Sequence, residues 1–431
     1  MSGIATEYGA GTDAAMTPRR AITAAGIGNV LEYYDFGIYG FLATVIARKF
    51  FPGTDEVASL LATFAAFGVG FLARPLGGIV LGRLGDTRGR KSALVTTILL
   101  MAVGTVGIGL IPDYARIGVL APMLLVLCRV LQGLSAGGEW GNATSFIVEW
   151  APEGRRGYFG SYSQASVVGG VLMASAVAAL LNSAFSTAQI DAWAWRLPFL
   201  LGAALLPVGL WLRRGIDETP RFRAEQAGQG AGLPDLGTPF ALMAKAFGFT
   251  VLWTVVYYVM LTYLPTFTQK YAGLTATQAL WCNTAGLLAL MMAIPLMGAL
   301  SDRIGRKPML LFCCVAFVVL AYPGFRLILA GVPAWGVALV QIGFNLVIAT
   351  FSGAGPAALA ELFPTRSRTT LMSVSYALAV AIFGGFAPFI ATWLIQQTGT
   401  PIAPTFYLIA AGLVSAATIL TFRETAFERL R

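Results

Sequence analysis

The amino-acid sequence predicts an all-α polytopic membrane protein with twelve transmembrane helices, arranged as two pseudo-symmetric six-helix bundles with both termini in the cytoplasm. Three observations predict this fold class. The composition is strongly apolar, apolar stretches long enough to cross a bilayer recur along the chain, and two loop motifs each occur once in either half. Together they indicate a chain that lies mostly in lipid.

The composition identifies lipid as the main solvent of the chain. Of the 431 residues, 57% are hydrophobic and 11% are charged, whereas an ordinary soluble domain carries about 25% charged residues. A transmembrane helix needs about 20 apolar residues, so the chain has room for about twelve spans and their loops.

Apolar stretches that can span the bilayer form two sets of six, with a polar segment between them. We expect the first six spans at about 21–47, 57–82, 92–111, 117–147, 157–182 and 197–212, and the second six at about 240–268, 277–300, 308–328, 333–358, 370–396 and 402–422. The predicted organisation is a disordered cytoplasmic tail at 1–18, an N-terminal bundle at 19–212, a cytoplasmic linker at 213–239 and a C-terminal bundle at 240–431.

Basic residues set the predicted orientation. The chain has 29 Lys and Arg residues against 20 Asp and Glu residues, and a formal net charge of +9. Most of the basic residues fall in loops that lie in the cytoplasm when the N-terminus does, in agreement with the positive-inside rule. The positive charge therefore indicates topology, and no nucleic-acid partner is expected.

Two loop motifs occur in the same order in both halves, which indicates an internal repeat. One joins spans two and three at 82–91 (GRLGDTRGRK) and spans eight and nine at 298–307 (GALSDRIGRK). The other follows span four at 149–156 (EWAPEGRR) and span ten at 361–368 (ELFPTRSR). The recurrence predicts two parallel halves.

The charged residues of these motifs predict a conformational latch at the cytoplasmic surface. Carboxylates near helix ends and clustered cations can pair in one conformation and separate in another. The alternative is simple anchoring of the loops by basic residues, but the repetition favours a latch. The predicted latch residues are Asp86, Arg90, Glu149, Asp302, Arg303, Arg306 and Glu361.

Ionisable residues within predicted spans are costly unless they face a cavity or a partner. Glu32 and Asp35 share one face of span one, Arg74 lies on span two, and Arg129 and Glu139 lie on span four. Three acids accompany two bases and the chain has no histidine, so we expect one carboxylate to hold a proton. The leading proton-coupling candidates are Asp35 and Glu32, with Arg129 as the alternating countercharge and Glu139 as a weaker candidate. The alternative is a permanent salt-bridge network that fixes helix packing.

Arg74 is the leading candidate for substrate binding. It lies in a glycine-rich apolar stretch, and a guanidinium group suits a carboxylate ligand in bidentate geometry. The alternative is that Arg74 neutralises Asp35 or Glu32. The other predicted substrate-binding residues are Asn29, Tyr39, Arg129, Gln132, Tyr162, Gln164, Tyr257, Asn345 and Tyr376.

Four further segments carry a resemblance to a known family: 28–36 (GNVLEYYDF), 71–78 (FLARPLGG), 129–139 (RVLQGLSAGGE) and 195–199 (WRLPF). With the repeated loops, they resemble the major facilitator superfamily and, within it, the metabolite:proton symporter family, over essentially the whole chain. One departure is Thr87, where the superfamily pattern usually has a basic residue, so the first latch is expected to be weaker than the second. The resemblance implies the major facilitator fold, a monomer, the bacterial inner membrane and alternating access.

That family includes citrate, tricarballylate, α-ketoglutarate and shikimate permeases and the proline/betaine transporter. The leading functional prediction is uptake of an organic di- or tricarboxylate, such as citrate, tricarballylate or α-ketoglutarate, in symport with protons. Protonation of Asp35 or Glu32 would allow the anion to bind near Arg74 and Arg129, and release of the cytoplasmic latches would open the inward side.

Other functions stay open. One is proton symport of a zwitterion such as proline or betaine, for which Trp253, Tyr257 and Tyr258 are candidates for an aromatic cage. The resemblance leads us to expect a long C-terminal extension in that branch, and this chain ends at Arg431. Efflux by proton antiport is less favoured, because arginines in the cavity would repel lipophilic cations, and a non-transporting sensor is the last alternative.

No catalytic or metal-binding pattern is present in the sequence. It has no nucleotide-binding loop, no histidine, and four cysteines without paired spacing. We therefore expect no enzymatic activity, no metal and no cofactor. The expected partners are a small organic anion, protons and the lipid bilayer.

Overall fold

The computed structural model describes residues 18–88, 90–137, 139–149, 151–203, 207, 239–364 and 368–428. Helix is the only regular secondary structure among them. The predicted tail (1–18) and linker (213–239) lie outside the described residues, except that the last residue of each begins a helix.

The described helices of the N-terminal half include long spans, spans divided into two helices, and short connecting helices. In order they are α1 (Pro18–Phe41), α2 (Ala43–Phe50), α3 (Glu56–Leu72), α4 (Arg74–Arg88), α5 (Arg90–Leu110), α6 (Tyr114–Ile117), α7 (Leu120–Ser135), α8 (Glu139–Glu149), α9 (Arg156–Ala184) and α10 (Thr187–Ala192), followed by a 3₁₀ turn at Ala194–Arg196.

The C-terminal half contains longer helices and two π-helical segments. They are α11 (Pro239–Val256), a first π-helix (Tyr257–Tyr263), α12 (Leu264–Tyr271), α13 (Ala276–Ile304), α14 (Arg306–Leu329), α15 (Ala334–Glu361), α16 (Arg368–Ala379), a second π-helix (Val380–Gly384), α17 (Ala387–Thr398) and α18 (Pro404–Leu420).

The apolar helices match the predicted spans. Among the described residues, seven helices are long and apolar enough to cross a membrane, and three shorter apolar helices begin at Thr96, Leu120 and Pro404. The pair Gly26–Phe41 and Ala43–Phe50, bent by 65°, makes an eighth span if the two helices are counted as one. Together they account for every predicted span except the sixth, 197–212, of which the described residues cover 197–203 and 207.

Span four, predicted as continuous, is broken between α7 and α8, where Gly137 packs against span two. A Cβ at Gly137 would lie 2.3 Å from the carbonyl oxygen of Arg74, and one at Gly77 would lie 1.9 Å from that of Leu134. Only glycine permits this close backbone approach. The contact places Arg74 on span two beside the helix that carries Arg129.

The two halves pack against each other through α9. This helix contacts α1 in its own half and both α13 and α15 in the other half. Spans seven and eleven, predicted as regular helices, each contain a π-helical segment. π-helical turns are rare and often occur at functional sites, and both segments lie close to the cavity described next.

Candidate functional site

A narrow cavity of about 10 Å³, room for about one water molecule, lies between the two halves. Tyr33 of α1 and Gln164 of α9 line it from the N-terminal half. A ligand site at the interface of repeats is typical of transporters with internal symmetry. The C-terminal half contributes residues of α11, the first π-helix and α16: Trp253, Thr254, Tyr257, Tyr258 and Tyr376.

The cavity wall is aromatic, and the described residues that line it carry no charge. The Trp253 ring centroid lies 6.1 Å from that of Tyr376 and 6.4 Å from that of Tyr257. The hydroxyl oxygens of Tyr33 and Tyr376 are 3.5 Å apart across the two halves, and the Tyr257 hydroxyl lies 2.9 Å from Ser352 Oγ. Aromatic faces attract cations, so this wall suits a ligand that carries its own positive charge.

Toward the predicted cytoplasmic side, an aromatic stack closes the cavity. The ring of Trp140 in α8 is stacked on that of Tyr376, with centroids 3.8 Å apart and planes at 16°, and it lies 5.7 Å from Trp253. Trp140 Nε1 donates a hydrogen bond of 3.3 Å to Gln164 Oε1. The stack connects the N-terminal half directly to the C-terminal half.

Toward the opposite side, phenylalanines of span two close against spans seven and eleven. The Phe71 ring centroid is 5.1 Å from that of Tyr258, and a Cβ at Gly385 would lie 2.7 Å from the Phe71 side chain. A Cβ at Gly68 would lie 2.6 Å from the ring of Phe386. These contacts hold the two halves together beside the cavity.

Arg74 does not line the cavity, because it pairs with Glu32 behind the aromatic wall. Arg74 Nη2 lies 3.0 Å from Glu32 Oε1, and both side chains are almost completely buried. The guanidinium carbon lies 4.6 Å from the Phe36 ring centroid and 4.4 Å from that of Phe71. This geometry matches neutralisation by Glu32, and a role for Arg74 in substrate binding stays a prediction.

Asp35 belongs to a separate polar cluster. Thr105 of α5 donates a hydrogen bond of 2.5 Å to Asp35 Oδ2, Gln132 Nε2 donates one of 2.8 Å to Thr105 Oγ1, and Arg129 Nη1 donates one of 2.7 Å to Gln132 Oε1. Arg129 therefore connects to Asp35 through two intervening side chains, and its predicted role as the alternating countercharge stays a prediction. The sequence gives no signal for Thr105, because a single threonine in an apolar span is unremarkable.

Arg129 is surrounded by aromatic rings of spans one and two. Its guanidinium carbon lies 4.7 Å, 4.6 Å and 4.9 Å from the ring centroids of Phe36, Tyr39 and Phe67. The Tyr39 hydroxyl donates a hydrogen bond of 3.0 Å to the carbonyl oxygen of Thr63. Arg129 and Tyr39 are both predicted to bind substrate. In the structure they lie in the contacts between spans one, two and four, and they do not line the cavity.

The other predicted substrate-binding residues divide between the cavity and the helix contacts. Asn29 Nδ2 donates a hydrogen bond of 3.0 Å to Ser166 Oγ, and the Tyr162 and Tyr158 hydroxyls are 2.8 Å apart. Asn345 is buried on α15. The predicted residues that line the cavity are Gln164, Tyr257 and Tyr376.

Asp302 of the second repeated loop binds the opposite half. Its two carboxylate oxygens each accept a hydrogen bond of 2.8 Å, one from the backbone N–H of Gly157 and one from that of Tyr158. A carboxylate is favourable at a helix N-terminus such as that of α9. Arg306 Nη1 lies 2.9 Å from Asp302 Oδ1, while Arg303 is exposed. The predicted residues whose side chains lie outside the described part of the chain are Asp86, Arg90 and Glu139.

Two further ion-pair groups join the halves near the same surface. Glu361 Oε1 lies 3.2 Å from Arg156 Nη1 and 3.3 Å from Arg306 Nη2. Glu149 Oε1 accepts a hydrogen bond of 2.8 Å from Arg368 Nη1. Glu149 and Glu361 of the predicted latch therefore each contact a basic residue of the other half. The sequence assigns no role to Arg156 or Arg368.

Two family models match the chain. The model described as "Sugar (and other) transporter" matches residues 21–231, and the model described as "Major Facilitator Superfamily" matches residues 269–431. Among solved structures, the proton:xylose symporter XylE has a TM-score of 0.77 at 17% identity, covering 96% of this chain and 97% of that one. An inward-open form of XylE from E. coli has a TM-score of 0.70. At this identity the likeness shows the fold alone.

Named relatives align over nearly the whole chain. The chain is 35% identical over 429 residues to the glycine betaine/proline/ectoine/pipecolic acid transporter OusA of Dickeya dadantii, and 34% identical over 429 residues to the proline/betaine transporter of Escherichia coli. Each alignment covers 96% of this chain and 85% of the relative. The citrate-proton symporter of Klebsiella pneumoniae is 36% identical over 410 residues, covering 94% of this chain and 92% of the relative. The chain therefore belongs to the major facilitator superfamily and is a multi-pass transport protein of the bacterial inner membrane.

Proposed function

We propose that the protein takes up a small zwitterion, such as betaine or proline, in symport with a proton. The observation that carries this proposal is the cavity between the halves, which is lined by tyrosines and a tryptophan and, among the described residues, by no charged side chain. A zwitterion has no net charge and brings its own cation. Once the halves separate enough to admit it, a zwitterion can bind between them without a buried protein countercharge, and its ammonium group can lie against the aromatic faces.

The charges around the cavity favour a zwitterion over a polyanion. Arg74 is paired with Glu32 at 3.0 Å, so the nearest predicted anion-binding group is already neutralised. A di- or tricarboxylate would enter an uncharged aromatic site, and moving uncompensated charge from water into such surroundings is unfavourable. The names of OusA and of the E. coli relative support the same substrate class.

Asp35 is the carboxylate to which we assign the proton, in line with the sequence prediction. It is buried, and its hydrogen-bond partner is the hydroxyl of Thr105, whereas Glu32 lies beside a guanidinium group. A carboxylate bonded to a hydroxyl can bind a proton without breaking an ion pair. Through Gln132, the same cluster would transmit the protonation of Asp35 to Arg129.

Alternating access is the transport mechanism that we propose, since it is typical of transporters built from internal repeats. The stack of Trp140 on Tyr376 and the latch would form the closure on the predicted cytoplasmic side, and contacts such as that of Phe71 with Tyr258 would contribute to the other. Opening one closure at a time would expose the cavity to one side of the membrane. Uptake would follow when the zwitterion and the proton enter from outside and leave after the cytoplasmic closure separates.

The second candidate is the carboxylate symport that the sequence predicts, with citrate, tricarballylate or α-ketoglutarate as substrate. The Klebsiella pneumoniae citrate-proton symporter supports it, since the alignment covers 92% of that protein. For this function Arg74 would have to separate from Glu32 and turn toward the ligand. The two candidates therefore differ in whether the Arg74–Glu32 pair persists when substrate is bound.

Uptake into proteoliposomes under an inside-alkaline pH gradient tests the proposal. Labelled betaine, proline, citrate, tricarballylate and α-ketoglutarate are offered in parallel, with protein-free liposomes as the control. We expect betaine or proline to accumulate above equilibrium and to leak out when a protonophore collapses the gradient. Accumulation of a carboxylate without either zwitterion would contradict the proposal in favour of the second candidate.

A further inference from the structure

Two adjacent residues of α11 at the cavity carry buried hydrogen-bond donors. Trp253 and Thr254 both line it, and they are only 2% and 4% exposed. Within the described part of the chain, neither Trp253 Nε1 nor Thr254 Oγ1 makes a hydrogen bond of ordinary geometry, although the Trp253 indole interacts with the Tyr257 hydroxyl. Buried polar groups are almost always hydrogen-bonded, so two neighbouring exceptions in one cavity point to a ligand group that both can contact.

Thr254 differs from the threonine one turn earlier in the same helix. Thr250 Oγ1 donates a hydrogen bond of 2.7 Å to the carbonyl oxygen of Ala246, a common arrangement for a threonine inside a helix. The Thr254 hydroxyl lies toward span eleven instead, where a Cβ at Gly384 would be only 2.0 Å from Thr254 Oγ1. The absence of a side chain at Gly384 thus leaves room for the Thr254 hydroxyl beside the cavity.

Other hydroxyls of the cavity already have partners. The Tyr257 hydroxyl contacts Ser352 Oγ at 2.9 Å, and the hydroxyls of Tyr33 and Tyr376 are 3.5 Å from each other. The indole N–H and the threonine hydroxyl of α11 are therefore donors that a bound acceptor could engage without displacing a hydrogen bond of ordinary geometry, beside the hydroxyl of Tyr258 in the next turn.

We propose that Trp253 and Thr254 form the subsite that binds the carboxylate of the substrate. This assignment rests on the proposed function, because a carboxylate with two acceptor oxygens is the part of a zwitterion that needs such donors. A neutral N–H and O–H give charge-assisted hydrogen bonds to a carboxylate without adding a net positive charge to the cavity. The negative end of the ligand is held by the C-terminal half.

The assignment also fixes the orientation of the ligand. With the carboxylate on α11, the ammonium group lies against the remaining aromatic faces, which include Tyr33 of the N-terminal half. The ligand therefore contacts both halves, and its two charged groups contact different sets of residues. Discrimination between a carboxylate and an alcohol of similar size is then a property of Trp253 and Thr254.

Competition by betaine and by choline tests this subsite, since choline has the same quaternary ammonium group but a hydroxyl in place of the carboxylate. The KM for betaine and the inhibition constant for choline are measured in proteoliposomes for the wild type, Thr254→Val, Thr254→Ser and Trp253→Phe. Thr250→Val is the matched control, because its hydroxyl is bonded within the helix. Purified protein in each case is checked for monodispersity before reconstitution.

We expect Thr254→Val and Trp253→Phe each to raise the KM for betaine about tenfold or more, as for loss of a hydrogen bond to a charged group. Choline inhibition should change little, and Thr254→Ser and Thr250→Val should resemble the wild type. A wild type that carries betaine while Thr254→Val leaves its KM unchanged, or weakens betaine and choline equally, overturns the subsite alone. A wild type that carries neither betaine nor proline overturns the proposed function and the subsite with it.

Discussion

Single residues decide how the charges within the membrane are distributed, and they form two clusters instead of one network. Glu32 pairs with Arg74, while Asp35 bonds to Thr105. The sequence identifies the acids and the arginine because charge inside a membrane is rare and costly. It does not assign their partners, because Glu32 and Asp35 share one helix face and the rotation of span two decides which of them Arg74 reaches.

The aromatic residues of the cavity were harder to identify from sequence. The sequence predicts Tyr257 and Tyr376 as substrate-binding residues, but Trp253 and Tyr258 only as open candidates for a cage. It predicts no role for Tyr33 or Trp140. Tryptophan and tyrosine are common at membrane interfaces. Hydropathy does not distinguish an aromatic ring that faces lipid from one that faces a cavity, so only the packing of the halves brings these rings together.

Glu32 and Arg74 give a prediction at the same scale. Glu32→Gln and Arg74→Gln should each lower the free energy of unfolding by about 3 kcal/mol or more, because each leaves a buried charge without its partner. The double variant should lose much less than the sum of the two single losses. Unfolding by denaturant titration in bicelles measures all four proteins.

Additive losses in that cycle would show that the two side chains do not stabilise each other. Asn29→Ala is a suitable comparison, because it removes a buried polar side chain of the same helix that bonds to Ser166 instead of to a charge. Its effect should add independently to that of Arg74→Gln.

At the scale of helices, hydropathy predicts where the spans lie but not their irregularities. Span four breaks where Gly137 meets the backbone of span two, and spans seven and eleven contain π-helical turns at Tyr257–Tyr263 and Val380–Gly384. Periodicity in sequence does not report these features, because they depend on contacts with other helices. These irregular turns matter for function. Tyr257 and Tyr258 lie in the first π-helix, and Gly384, which faces the Thr254 hydroxyl, lies in the second.

The N-terminus of α14 is capped by a residue that lies more than one hundred positions later in the chain. Glu424, which follows the last span, accepts hydrogen bonds of 2.9 Å from the backbone N–H groups of Arg306 and Lys307. Burial alone would raise the pKa of Glu424, but these bonds and those from Thr425 and Ala426 hold the pKa below its usual value of 4.5. The chain after span twelve is thereby attached to the second repeated loop.

Glu424→Gln should therefore reduce stability in a pH-dependent way. A lowered pKa in the folded protein means that the carboxylate stabilises the fold above about pH 4.5 and that this contribution is lost as the pH falls further. We expect a loss of about 1 kcal/mol near pH 7 that disappears at acid pH, measured by thermal unfolding in detergent. A difference that is constant across this pH range, or one equally large for the exposed Glu428→Gln, would contradict the capping role.

At the scale of the whole molecule, the two halves contact each other by rings around the cavity and by ions at the predicted cytoplasmic surface. The repeated loops in the sequence indicate that such ionic contacts exist, and the structure identifies Arg368 as the partner of Glu149 and Arg156 as a partner of Glu361. Arg156 and Arg368 belong to the repeated motifs at 149–156 and 361–368. Each contacts the acid of the equivalent motif in the other half. Which charged residues pair between the halves depends on how the two bundles pack together. The sequence of either half alone does not predict that packing.

Reversal of the Glu149–Arg368 pair tests whether these ions hold the cytoplasmic side closed. Glu149→Arg should shift the population toward the inward-open state, because it places two cations together. The double variant Glu149→Arg/Arg368→Glu should restore closure. Distances between spin labels at the exposed positions 153 and 303 report the separation of the halves on this side.

An unchanged distance distribution in Glu149→Arg would show that this pair does not control the cytoplasmic closure. A double variant that stays as open as the single one would show that the side chains act independently.

Proton symport of a zwitterion is tested most directly by measuring the current that a betaine concentration jump produces in proteoliposomes on a solid-supported membrane. Symport of a net-neutral zwitterion with a proton moves one positive charge inward, so the wild type should give a sustained inward positive current. Asp35→Asn should abolish the current while betaine still protects the protein against heat. A betaine jump that gives no current when a citrate jump does, or a full betaine current in Asp35→Asn, would contradict the zwitterion site or the proton role of Asp35 respectively.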